Sequence, residues 1–172
     1  MKFIIIIIAV AAISAFVFFR SKSSVAKPEE QKDKSPEVIM GEMAEEAVSL
    51  ATDCYQIKLD YSDDSIADIE NILSQLHDEY TKTGNEEGLY GLAIMCGAYI
   101  GEVAQRNHQV GRWEKDHPTI GEMTFPFYLE DDSCIFPVGW CQKRILDGAD
   151  DNVVPKYRIC VIEQMKEISN HH

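Results

Sequence analysis

Residues 97–103 read GAYIGEV, and GRW follows at 111–113. Glu102 closes an otherwise apolar run and stands four residues before Arg106. Three readings of its carboxylate are open. It pairs with Arg106 at i,i+4 on a helix surface, worth about 0.3 kcal/mol. Or it is buried and bonds the Arg112–Trp113 segment. Or it serves as a general base or ligand-binding carboxylate in a pocket with Tyr99, Arg112 and Trp113, since a positioned carboxylate can take a proton or hold a donor. Gly97 and Gly101 lie one turn apart on the same helix face. Each costs about 1 kcal/mol against alanine in a helix. Small residues at this spacing let a second backbone come close, so packing is the expected return.

The remaining reactive types are scattered. His77, His108 and His117 have no mutual spacing of a metal site, and neither metal nor cofactor is expected. Residues 147–152, DGADDN, are rich in oxygen but lack the D-x-[DN]-x-[DN]-G order of a calcium loop, so a loop with a helix cap is expected. There is no G-x-S-x-G, Walker loop or dinucleotide fingerprint. The five cysteines, Cys54, Cys96, Cys134, Cys141 and Cys160, are odd in number, widely spaced and free of C-x-x-C. They read as buried reduced thiols in a reducing compartment, and Cys96, inside the apolar run, as inert.

Charge narrows the partners. Formal net charge is −13. Residues 1–27 hold four cations and no acid, which leaves 12 basic and 29 acidic residues beyond them, a balance of −17. That excess argues against nucleic acid and anionic lipid surfaces as ligands. It fits a solvated acidic domain or a basic partner.

The elements that must position these residues begin with FIIIIIAVAAISAFVFF (3–19), which has no charge. Its 17 residues would span roughly 25 Å as a helix, near the thickness of a hydrocarbon core. Phe16-Val17-Phe18-Phe19 continues the apolar run past the weak cleavage sites at 12–15, which favours an uncleaved anchor over a signal peptide. Lys2 precedes the run, whereas Arg20, Lys22, Lys27, Lys32 and Lys34 follow it. The bias predicts a single-pass inner-membrane protein with a cytoplasmic carboxyl-terminal domain. A periplasmic-facing or secreted domain is the alternative. The expected organisation is an anchor at 1–20, a flexible linker at 21–36 with almost no apolar residues, and one acidic globular domain at 37–172.

Ser35, Pro36 and Glu37 open a first helix with a stripe of Ile39, Met43, Ala47, Leu50 and Cys54. A short extended segment follows at 56–65, unless the first helix runs on. Ser62 caps a second helix, with Asp63 and Asp64 at its positive end and Ile66, Ile69, Leu73, Leu76 and Tyr80 as its stripe. Gly84-Asn85 ends it. A central helix runs from about Glu86 to Asn107. Residues 112–116, 123–130 and 133–138 predict a three-stranded antiparallel meander, and Pro126 predicts an edge strand or a bulge. A short helix ends at Gly148. A last helix starts at Val153, with Tyr157, Val161, Met165 and Ile168 inside, although YRICVI could be a strand. The fold class is therefore α+β, helices on a small sheet. Trp113, Phe125, Phe127, Tyr128, Phe136 and Trp140 concentrate in its carboxyl half. Most should fill the core, and an exposed subset would make a protein-binding surface.

LDYSDDSI (59–66), GAYIGEV and GRW, followed by an aromatic-proline strand and KRILDG (143–148), resemble an uncharacterised bacterial domain-of-unknown-function family. Its pattern reads LDYS…L, then GAY-[IL]-GEV, then GGRW; this chain has Val110-Gly111 where the pattern has two glycines. The resemblance implies a fold and no catalytic residue. The expected function is a membrane-tethered protein-interaction module, adaptor or immunity-like. The alternative is a hydrolase-type enzyme using Glu102 in a cleft near Arg112 and Trp113.

Overall fold

The structure, a computed structural model, describes residues 34–122, 124–130 and 133–166. The expected anchor at 1–20 and the linker up to residue 33 lie outside the described residues. Among the described residues, no helix is long and apolar enough to cross a membrane.

Helix α1 spans Pro36–Leu50 and runs on as a π-helical turn, Ala51–Tyr55. Ser35 caps it, its Oγ accepting from the Val38 N–H at 3.4 Å, and proline at the first position lacks a donor that would be orphaned there anyway. Its buried face is Met40, Ala44, Ala47, Leu50 and Ala51. The stripe is rotated from the expected one, leaving Ile39 and Met43 half-buried. Three alanines on that face let a neighbour sit close, and the larger side chains flank the contact.

Residues 56–62 join no strand. They form an irregular connector, with Gln56 and Tyr61 in left-handed backbone and Leu59 in the core. Ser62 Oγ then accepts from the Ser65 N–H across a 3-10 turn, Asp63–Ser65, that leads into α2, Ile66–Thr83. Ile66, Ile69, Ile72, Leu73 and Leu76 are its buried face. Gly84, at φ 65, closes it with a bond to the Tyr80 carbonyl.

Helix α3, Leu89–His108, is the central element and packs on α1 and on α4, Pro137–Asp147. Ten of its residues are buried, from Leu92 to Ala104. Between α3 and α4 lies the three-stranded antiparallel sheet, β1 (Arg112–Trp113), β2 (Phe127–Tyr128) and β3 (Cys134–Ile135), in that order. The register pairs Arg112 with Tyr128 and Tyr128 with Cys134 on one face, and Trp113 with Phe127 and Phe127 with Ile135 on the other. Trp113, Phe127 and Ile135 are the buried set.

Pro126 neither sits on an edge strand nor makes a bulge, because β2 is central. It lies just before β2, where its carbonyl accepts from the Glu114 N–H at 3.0 Å. The N–H it lacks would face the same neighbour, so the ladder loses one bond and keeps its register. The Asp116 N–H to Thr124 carbonyl bond continues the hairpin beyond it.

After α4 and a 3-10 turn at Ala149–Asp151, Asn152 caps α5, Val153–Tyr157, through the Val154 N–H. A π-helical turn, Arg158–Glu163, extends it, so YRICVI is helical. Tyr157 and Val161 are buried and Met165 is half-buried; Ile168 lies outside the described residues.

Both glycines of the central helix sit at close approaches. A β-carbon on Gly97 would lie 2.6 Å from the Val138 backbone N and Cα at the start of α4. One on Gly101 would lie 2.2 Å from Cζ2 of Trp113. Gly41, in α1, has nothing within 4 Å. Gly97→Ala and Gly101→Ala should therefore destabilise by about 2 kcal/mol, overpacking outweighing the helix-propensity gain. Gly41→Ala should stabilise by about 0.5–1 kcal/mol. Chemical denaturation of the three variants checks the sign difference.

Candidate interaction surface

The four residues singled out as a pocket occupy different places. Tyr99 is fully buried. Its hydroxyl accepts from the Tyr61 N–H at 2.8 Å and lies 2.7 Å from Ser65 Oγ, and its ring stacks on Tyr61 with centroids 4.8 Å apart. Trp113 is buried against Gly101 and meets Phe127 edge-on at 4.9 Å. Arg112, adjacent in β1, points to the opposite face; its side chain is 53% exposed and its Nε donates to Glu114 Oε1 at 3.2 Å.

Glu102 is the surface partner of Arg106, accepting from its Nε at 2.8 Å. The guanidinium lies 3.5 Å from the Tyr61 ring centroid, and the Tyr61 hydroxyl donates to Glu45 Oε1 at 2.8 Å. Arg106 thus bridges two carboxylates across a ring face, a cation–π stack on the domain surface. The geometry matches the first of the three readings of Glu102. The carboxylate that bonds the Arg112–Trp113 segment is Glu37: its Oε1 accepts from the Trp113 N–H at 2.6 Å, and Gln105 Nε2 donates to its Oε2 at 3.2 Å.

A second carboxylate that local reading underrates is Asp63. Its Oδ1 accepts from the Tyr157 hydroxyl at 2.6 Å, and both of its oxygens lie 3.1 Å from His108 Nε2. The start of α2, the end of α3 and α5 meet at this one side chain. Burial, then the Asp63 bond, pushes the Tyr157 phenol up. A third is Glu70, which holds the buried Arg144 Nε at 2.6 Å and the Val153 N–H at 3.0 Å. In sequence Asp63 and Glu70 look like ordinary helix acids, and nothing local marks their partners.

Among the described residues, His77 and His117 engage backbone instead. His77 Nδ1 lies 2.8 Å from the Ile145 carbonyl, and His117 Nδ1 accepts from the Thr119 and Ile120 N–H groups. Among the described residues, no group of three or more His, Cys, Asp or Glu side chains is placed to hold a metal ion.

What the fold does assemble is an aromatic cluster on the face of the sheet opposite the core. Tyr128 lies beside Arg112, whose guanidinium is 5.1 Å from the ring centroid. His117 stacks nearly parallel to Tyr128 at 6.4 Å and meets Phe136 edge-on at 5.5 Å. All three rings are half-buried. Alternation places them there: Phe127 and Ile135 point to the helices, so Tyr128 and Phe136 point away. The exposed Ile120 stands at the hairpin tip next to this cluster.

Comparison with protein-family models, curated proteins and solved structures finds no match to the chain.

The geometry separates Asp63 from Glu102 energetically. Asp63→Ala should cost about 2–3 kcal/mol, because it leaves Tyr157 and His108 without their shared acceptor. Glu102→Gln should cost less than about 0.5 kcal/mol. Urea denaturation of both variants tests the ordering.

Stability should also fall with alkalinity. Burial pushes the Cys96 thiol up to about 12 and raises Cys141 well above its ordinary value. A raised folded pKa gives stability that is complete below the unfolded value, about 8.5, and is lost as pH rises beyond it. Unfolding free energy should therefore decline from about pH 8.5 upward, steepening near pH 10 as tyrosines such as Tyr157 join. Denaturation series across that range check it, and native Cys96 and Cys141 should resist thiol reagents.

Proposed function

We propose that this protein is a membrane-tethered protein-interaction module, adaptor or immunity-like, whose partner docks on the sheet face bearing Arg112, His117, Tyr128 and Phe136. The observation that carries the reading is that cluster: three half-buried rings and an exposed guanidinium, joined in a row of pairwise contacts on the face away from the core. Aromatic residues and arginine are the usual anchors of protein interfaces, the rings because they offer large apolar area at small entropy cost. The apolar run at 3–19 would hold the domain at the inner membrane, with the cations after it favouring the cytoplasmic side. The LDYS…GAYIGEV…GRW resemblance belongs with this proposal as shared architecture. Its tyrosines stack on one another and its tryptophan packs on its second glycine, a packing role throughout.

The hydrolase reading draws no support from the positions of its residues. It needs Glu102, Arg112 and Trp113 in one cleft, and they lie on a helix surface, a sheet face and in the core.

A photo-crosslinking residue placed at Tyr128 or Phe136 of the full-length protein, in its native membranes, tests the proposal. A discrete adduct is expected from these sites and not from the exposed position 82 on α2, and Arg112→Glu should reduce it. Equal labelling from all three sites would overturn the reading. A reporter fused after His172 fixes the side of the membrane.

A further inference from the structure

The sheet layer carries a charge pattern that constrains what can sit on the aromatic cluster. Residues 112–135 contain six acids, Glu114, Asp116, Glu122, Glu130, Asp131 and Asp132, against two cations, Arg112 and Lys115. Glu114 lies on the same face as Arg112, from whose Nε it accepts, and Asp116 follows it where the hairpin bends, at φ 64. Arg112 is already engaged, its Nε bonded to Glu114 and its guanidinium lying against Tyr128, so it offsets Glu114, and six acids against two cations leave the layer four acids in excess. Glu122 and Glu130 are exposed at the hairpin ends. The centre of the face is therefore aromatic and its margins are acidic, within a domain whose balance beyond residue 27 is −17.

Resting on the proposed docking role of this face, we infer that the partner presents a basic segment, lysines or arginines interspersed with apolar residues. Its cations meet the ring faces of the His117–Phe136–Tyr128 cluster and the carboxylates of Glu114 and Asp116, while its apolar side chains cover the rings and Ile120. Two physical arguments converge on this chemistry. A ring face attracts a cation through its quadrupole, and the attraction grows as the pair is desolvated. The surrounding carboxylates add a field that draws cations in and repels acidic segments. An acidic partner would bring like charge onto a margin already rich in carboxylates. A second copy of this chain would do the same, since each copy carries the same excess of acid.

The test uses full-length protein in detergent micelles and two labelled probe peptides of one length, one alternating lysine with leucine, the other glutamate with leucine. Fluorescence anisotropy should show binding of the lysine peptide alone, weakening with salt. Phe136→Ala with Tyr128→Ala should weaken it about tenfold. Glu114→Lys with Asp116→Lys should weaken it comparably and admit the glutamate peptide. Thermal melts identify any variant that fails to fold, and the surface pair Glu114 and Asp116 supplies an arm that leaves the rings in place. Equal or tighter binding of the glutamate peptide would overturn the inference. So would lysine-peptide binding indifferent to the loss of both rings, which is attraction to charge alone, and so would displacement of the peptide by residues 20–34 of this chain acting as the resident occupant. If crosslinks from Tyr128 map to a non-basic partner segment, the basic chemistry fails while the docking role stands. If no site-dependent crosslink forms, the docking role itself fails.

Discussion

The indole of Trp113 occupies space that any β-carbon at residue 101 would claim, and much of the domain is arranged around that fact. The sheet reaches the central helix through this contact, with Cζ2 of the ring 2.2 Å from where the missing carbon would be. One turn earlier Gly97 admits the backbone of α4 in the same way. α3 therefore receives the sheet at one glycine and a helix at the other. The propensity lost at two helical glycines is offset by dispersion contacts that no larger residue would permit. Behind Trp113, Phe127 fills the space above Gly111, whose φ of 91° also favours glycine. The layer is built from rings seated on residues without side chains.

Carboxylates secure what the rings position. Glu37, Asp63 and Glu70 each stand in or near the first turns of a helix, where an acid is favourable against the helix dipole. Each then reaches a partner far along the chain: Trp113, Tyr157 with His108, and Arg144 with Val153. The domain's acidity is thus not only a solvated coat. Part of it is structural, and its partners are a backbone N–H, a phenol, an imidazole and a guanidinium. Such bonds to charged acceptors are stronger than neutral ones and costly to break on one side.

The architecture was readable because helices and strands advertise themselves through period and caps. Ser35, Ser62, Gly84 and Asn152 each mark a boundary that the backbone respects. The meander was visible as a change of period after Gly111, and its order follows from short connections. Pro126 misled because a missing donor removes one bond, and at a strand's end one bond does not decide its place in the sheet. The stripe of α1 shifted because alanines carry little hydrophobic signal yet allow the closest packing. Gly97 and Gly101 could be read as packing sites, but their partners could not be named. Glu37 was hidden for the same reason: its bond joins residues 76 apart, and no local pattern encodes that. The aromatic face needed register, since a one-residue slip exchanges core and surface.

The Glu37–Trp113 bond has a mechanical side. The chain enters the domain at Ser35–Pro36, and one residue later a carboxylate grips the backbone of β1 and, through Gln105, the flank of α3. A pull on the chain ahead of residue 34 would not simply unwind the first turn of α1. It would be carried within a few ångströms into the sheet and the central helix, which then share the load. A domain held this way resists peeling from its amino-terminal end, and strain arriving there is delivered to the strand whose next residue over, Arg112, borders the aromatic face.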